Sequence, residues 1–228
     1  MPAYDYIYLG DNARAPYGPR SFDVVYRFTR QAVMRLFAEG CQLVILACNT
    51  ASAKALRTIQ QRDLPVWDET RRVLGVIRPT VELMDRISRS KHVGVVGTAG
   101  TIASGSYQIE IAKMFPHIQV TSEACPMWVP LVENNEFDSP GADYFVRKYL
   151  DELFRKDPLI DTLILGCTHY PLLIEKIRRY VPTGVTLLPQ GEYVASSLED
   201  YLYRHPEMDR KLTKGGTCRF LTTESAEK

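Results

Sequence analysis

The sequence predicts an α/β fold: two pseudo-symmetric α/β lobes with mostly parallel sheets and the active site in the cleft between them. Three observations lead there. Apolar runs bounded by Gly alternate with segments of helical periodicity along the chain, the pattern of parallel strands and crossover helices. One run, Thr162 to Leu165, ends in Gly166-Cys167-Thr168-His169 and leads into the helical IEKIRRY. Another, within QLVILACNTASA (42–53), ends in Cys48-Asn49-Thr50 and leads into a further helix start. A side chain just past such a strand lies at the carboxyl edge of the sheet, where α/β proteins bind ligands. The same construction made twice implies two similar lobes, each offering one cysteine to one cleft.

The elements follow in order. Tyr6 to Leu9 reads as a short strand, and residues 10–20 as a loop rich in turn residues. Ser21 is the N-cap of a helix whose face repeats at Val25, Phe28, Ala32 and Leu36, with Gly40 as its stop. The Cys48 strand and helix come next. Leu64 to Arg72 reads as irregular, Val73 to Ile77 as a strand and Thr80 to Ile87 as a helix. The second lobe opens at Lys91 with VGVVGTAGT, a buried strand. A helix over Ile102 to Met114, a strand over Ile118 to Thr121, a loop over Cys125 to Glu133 and an amphipathic helix over Ala142 to Phe154 follow. Beyond the Cys167 unit lie a strand at Val185 to Leu188, a helix from Gln190 to Tyr203 and a last strand at Cys218 to Thr222. The first lobe is then 1–90 plus 190–228, and the second is 91–189.

Composition narrows the function classes. The 228 residues are enough to bury a real core. Lys and Arg total 28 against 27 Asp and Glu, a formal charge of +1. That balance gives no electrostatic footprint for nucleic acid and no basic run for an anionic membrane. The chain has no apolar stretch of membrane-spanning length and no signal-type segment, which predicts a cytoplasmic protein. The five cysteines are an odd count with wide spacing, which argues for free thiols. No CxxC or HxxxH spacing occurs, so no metal site is expected.

Among the cysteines, Cys41, Cys125 and Cys218 read as small core hydrophobes. Cys48 and Cys167 differ, because each ends a strand and is followed by hydrogen-bonding side chains. A thiolate needs stabilisation to be useful near pH 7, and a helix N-terminus or neighbouring donors supply it. His169, two residues after a thiol, can hold or relay a proton. GTAGT at Gly97 to Thr101 lacks both the P-loop Lys and GxGxxG spacing, which argues against a nucleotide loop. Two thiols facing one cleft fit two chemistries. One is covalent catalysis by a nucleophile with a separate base. The other is proton transfer by two bases, one on each face of a carbon, which needs no cofactor and explains why the two turns are alike.

The motifs GDNARAPYG (10–18), ACNTASA (47–53), GTAGTIASGSY (97–107), CPMWVPLVE (125–133) and GCTHYPLL (166–173) resemble those of the glutamate racemases, in order and over nearly the whole chain. The wider aspartate/glutamate racemase superfamily typically carries Glu where this chain has His169. The resemblance implies that Cys48 and Cys167 are the acid/base pair, Cys48 acting on D-glutamate and Cys167 on L-glutamate. It implies that Tyr17, Gly18, Asn49, Thr50, Thr98, Thr101, Thr168 and His169 bind the substrate, and that Asp11 and Glu133 support the thiols. It implies no cofactor, glutamate as the small-molecule partner, a role in peptidoglycan synthesis, and it allows a homodimer. Racemisation of another acidic amino acid, such as aspartate, and a non-catalytic binding homologue are the alternatives. Glutamate racemases open with a strand and an FDSGxGG loop, and Met1 stands after that point. The family also adds a helix after a strand like CRFLTTE, where this chain stops at Lys228. The resemblance therefore predicts a cleft incomplete on one side and poor activity for residues 1–228.

Overall fold

The computed structural model describes residues 1–225. Its strands form three sheets, and every pairing is parallel. Strand β1 (Tyr6–Gly10) pairs with β8 (Cys218–Thr222), and β2 (Leu43–Leu46) pairs with β3 (Arg72–Gly75). The third sheet has the order β5-β4-β6-β7, from β4 (His92–Gly97), β5 (Gln119–Ala124), β6 (Thr162–Gly166) and β7 (Thr186–Leu188).

The four-stranded sheet is covered on both faces, which is why β6 is buried at every position. On one face Leu163, Leu165 and Val96 pack under Trp128, Leu150 and Tyr170. Trp128 meets Tyr170 edge-on, with ring centroids 4.7 Å apart. On the other face Val93, Val95, Ile164 and Leu188 pack against Val81, Tyr107 and Ile111. A third cluster seats Val44, Leu46 and Val73 against Val33 and Phe37 of the helix Phe22–Ala38. The register places the chemistry. Gly97 and Gly166 are partners at the carboxyl ends of β4 and β6, so Thr98 and Cys167 leave the sheet side by side. Strand β2 ends two residues before Cys48.

Several sequence expectations shift. Helix Phe22–Ala38 is capped by Ser21 as expected, but its buried face is Val25, Thr29, Val33 and Phe37. Phe28 is drawn off that face, with the Arg14 guanidinium 4.4 Å from its ring centroid. The irregular stretch after Leu64 contains a helical turn, Leu64–Trp67. The strand expected to reach Ile77 stops at Gly75, because Ile77 already opens the helix Ile77–Val81. The helix expected over Ile102 to Met114 starts earlier, at Ala99, because Thr98 caps it. It also breaks at Gly105, whose φ of 63° is left-handed backbone. The expected loop at Cys125 to Glu133 holds the helix Trp128–Glu133. Pro130 sits in its first turn, where a missing N–H costs nothing. Cys125 is buried as expected, whereas Cys41 is half-buried and Cys218 is exposed, on a strand, β8, that no core cluster among the described residues covers.

Candidate active site

Cys48 occupies the N-cap position of helix Asn49–Lys54, with extended backbone that hands the chain from strand to helix. Burial pushes its pKa up, opposed by hydrogen bonds from the backbone N–H groups of Ala51 and Thr50 and from the Thr50 hydroxyl. The helix start thus supplies the donors that a thiolate there needs.

Cys167 directly follows β6 but opens a turn rather than an α-helix: a 3-10 helix, Tyr170–Leu173, begins three residues on, with His169 at its N-cap. Its pKa is pushed up to about 12, chiefly by burial and also by charge on Cys48 and Glu133, against the N–H groups of His169 and Thr168. Both thiols border one cavity. His169 Nδ1 lies 3.6 Å from Cys167 Sγ, and His169 Nε2 lies 2.5 Å from Glu133 Oε1. With Nε2–H donated to the carboxylate, Nδ1 is left as an acceptor facing the thiol. Glu133 reaches Cys167 through the imidazole.

Around the thiols, the hydroxyls of Thr50, Thr98 and Thr101 form a triangle with sides of 2.9, 3.1 and 3.2 Å. All three are buried. Gly18 O accepts from Gly100 N at 3.0 Å, which seats the 17–20 loop on the helix that Thr98 caps. A Cβ on Gly18 would lie 2.8 Å from Thr98 Cβ, so this approach requires glycine. Lys54 Nζ donates to Arg20 O at 2.7 Å and closes the same contact. Asp11 accepts from the Tyr17 hydroxyl, from Arg14 Nε and from Thr223. Burial raises the Asp11 pKa, but these donors outweigh it and hold the carboxylate below its usual range. Asp11 thus braces Tyr17, whose own pKa is raised by burial and by that carboxylate.

One cavity of about 1060 Å³ brings most of these residues together. Cys48, Cys167, Tyr17, Gly18, Asn49, Thr50, Thr98, Thr168, His169 and Asp11 border it. Thr101 and Glu133 stand one layer out, behind Thr98 and His169. The cavity continues between β1 and β2, past Ile7, Leu9 and Ile45, toward Leu198 and Leu202. Sequence reasoning missed Gln190 and Tyr107, which hold the Asn49 side chain. Gln190 follows β7, which is buried only at Leu188, so no continuous apolar run marked the position. Among the described residues, no group of three His, Cys, Asp or Glu side chains could hold a metal ion. No helix among them is long and apolar enough to cross a membrane.

The family described as Asp/Glu/Hydantoin racemase matches residues 1–196. The chain belongs to that family. The curated relatives it resembles include glutamate racemases, which are isomerases. It is 41% identical to the glutamate racemase of Paracoccus denitrificans, over 100% of this chain and 85% of the relative. It is 40% identical to that of Shouchella clausii, over 99% and 78%. Among solved structures, glutamate racemase from Bacillus anthracis matches with a TM-score of 0.87 and 35% identity, over 99% of this chain and 81% of that one. Glutamate racemase from Francisella tularensis, solved in complex with D-glutamate, matches with a TM-score of 0.85 and 31% identity, over 100% and 81%.

Proposed function

We propose that the protein is a cofactor-independent glutamate racemase in which Cys48 and Cys167 invert Cα by acid/base proton transfer. The observation that carries this reading is the pair of thiols on matching strand-end turns, each met by backbone N–H groups and both bordering one cavity. The relatives' names, and D-glutamate in one of the matched structures, point to glutamate as the substrate.

In this reading Cys48, as thiolate, takes the Cα proton of D-glutamate and becomes a thiol. The electron pair passes into the α-carboxylate as an enediolate. Cys167 then delivers its S–H proton to the opposite face of Cα and is left as thiolate, with L-glutamate as product. L-Glutamate runs the steps in reverse. Burial keeps both resting thiols protonated, so Cys48 first gives its S–H proton to solvent; the thiolate then formed, with its raised pKa, is the stronger base. His169 Nδ1 offers a place for the Cys167 proton between turnovers. Asn49 gives one amide N–H to Gln190 and keeps the other for a ligand. Tyr17, Gly18, Thr50, Thr98, Thr101, Thr168 and His169 complete the proposed substrate contacts, with Asp11 and Glu133 as supports. The same reading divides the chain into lobes 1–90 plus 190–228 and 91–189, and assigns the D-glutamate formed to peptidoglycan synthesis.

The test follows deuterium incorporation at Cα from heavy water, starting from each enantiomer. Cys48→Ala or Cys167→Ala removes the proton carrier on one face and should lower turnover by about 10²–10⁴-fold. Turnover undiminished in both variants would end the two-thiol reading. A kcat/KM for aspartate equal to or above that for glutamate would move the substrate to the shorter acid.

A further inference from the structure

We infer that Gln190 and Tyr107 are positioning residues that hold Asn49 in one orientation and thereby set Cys48 relative to Cys167; the inference rests on the two-thiol reading above. Neither borders the cavity. With Asn49 they close a ring in which each side chain donates to the next. The Tyr107 hydroxyl donates to Asn49 Oδ1 at 2.7 Å, Asn49 Nδ2 donates to Gln190 Oε1 at 2.6 Å, and Gln190 Nε2 donates to the Tyr107 oxygen at 2.8 Å. The second Gln190 N–H goes to Thr80 Oγ1 at 2.7 Å, whose own hydrogen goes to Val76 O.

This pattern fixes both amide orientations. Turning Gln190 over would set two NH₂ groups face to face and point its oxygen at a hydroxyl already donated to Asn49. Asn49, Tyr107 and Gln190 are at most 9% exposed, so water does not readily replace a lost partner. The ring also reaches both thiol turns. Asn49 follows Cys48 in the chain and opens its helix. Tyr107 lies against Gly166, the residue before Cys167: a Cβ there would meet the ring at 3.4 Å and the hydroxyl at 3.7 Å. A polar ring buried elsewhere in the core would stabilise the fold and do nothing more. This one is built on the neighbour of one thiol and beneath the neighbour of the other.

Tyr107→Phe and Gln190→Met each open the ring without touching a reacting atom. Gln190→Glu keeps the shape and the acceptor for Asn49, and covers the case in which Gln190→Met does not fold. Three quantities are measured on the full chain: kcat and KM in both directions, the melting temperature, and the rates at which iodoacetamide alkylates Cys48 and Cys167, resolved by mass spectrometry. Each folded variant should lose about 10–10²-fold in kcat, the scale of a small misplacement, with KM close to wild type. The Cys48 to Cys167 alkylation ratio should change in step. The double variant Tyr107→Phe/Gln190→Met should lose no more than the worse single one, because either substitution opens the same ring. A merely structural ring would lower the melting temperature and leave kcat and the alkylation ratio at wild-type values. That result in folded Tyr107→Phe or Gln190→Glu protein overturns the inference. Absence of glutamate turnover in the wild type would instead overturn the proposed function, and the alkylation ratio would still report on the ring.

Discussion

Burial sets the reactivity of Cys167 by an amount that alkylation can read. The side chain is 7% exposed, and its pKa moves from 9.0 to about 12, with desolvation the largest cause. At a pH near 8, the thiolate fraction falls from about one in ten to about one in ten thousand, a loss of about 10³. The perturbation is pH, applied to ligand-free protein in buffer and again in concentrated urea, where burial is removed. Iodoacetamide is added briefly at each pH, and the labelled cysteines are mapped by mass spectrometry. Cys218, exposed on β8, serves as the reagent control in the same chain. The Cys167 midpoint should lie near 12 in the folded protein and return to about 9 in urea. A folded midpoint at or below 9 would refute the reasoning, because the N–H groups of His169 and Thr168 would then outweigh desolvation. The same difference is linked to stability. The folded value is raised, so the fold favours the protonated thiol. That preference is fully present below about pH 9 and is lost as pH climbs toward about 12, a total of about 4 kcal/mol. Cys167→Ala should flatten this part of the stability curve.

Two further outcomes follow from the cleft's supports. Gly100→Ala should lower stability by about 1–3 kcal/mol in thermal unfolding, because its Cβ would come within 2.5 Å of Gly18 O; a helix-propensity gain with a raised melting temperature would show the contact to be loose. Glu133→Ala removes the acceptor that orients His169, and should reduce kcat by about tenfold, less than loss of a thiol itself; an unchanged kcat would detach the carboxylate from the Cys167 side.

Much of this was legible in the sequence, for identifiable reasons. Strands β4 and β6 stood out because both faces of their sheet are buried, which makes each strand a continuous apolar run. The thiol turns stood out because polar residues gather where such runs end. Other features were hidden. Thr29 holds a core position on a helix where apolar spacing pointed to Phe28, because two guanidiniums cover the Phe28 ring. Trp128–Glu133 is a helix in spite of Pro130, since its position in the first turn costs no helical hydrogen bond. Gln190 and Tyr107 meet Asn49 across separations of 141 and 58 residues, and no local pattern announces such a meeting. Glu133 is half-exposed and gains its place only through His169, one turn beyond a strand that lies far along the chain.

The cavity's extension between β1 and β2 gives the two walls of the cleft unequal stiffness. Thr98 and Cys167 leave adjacent, hydrogen-bonded strands, so their spacing is held by a ladder. Asp11 and Cys48 also hang from strand ends, but β1 bonds to β8 and β2 bonds to β3, with no ladder between them among the described residues. Helix Phe22–Ala38 packs on both β1 and β2 and bridges them. The distance from the Tyr17 loop to Cys48 is therefore a side-chain packing distance, soft to solvent and temperature. Local opening starts where buried contacts are fewest and backbone amides have least company. Amide hydrogen exchange should run fastest along β1 and β8, slower in β2, and slowest in β4 and β6. The Tyr17 side of the cleft then breathes while the Cys167 side keeps its shape.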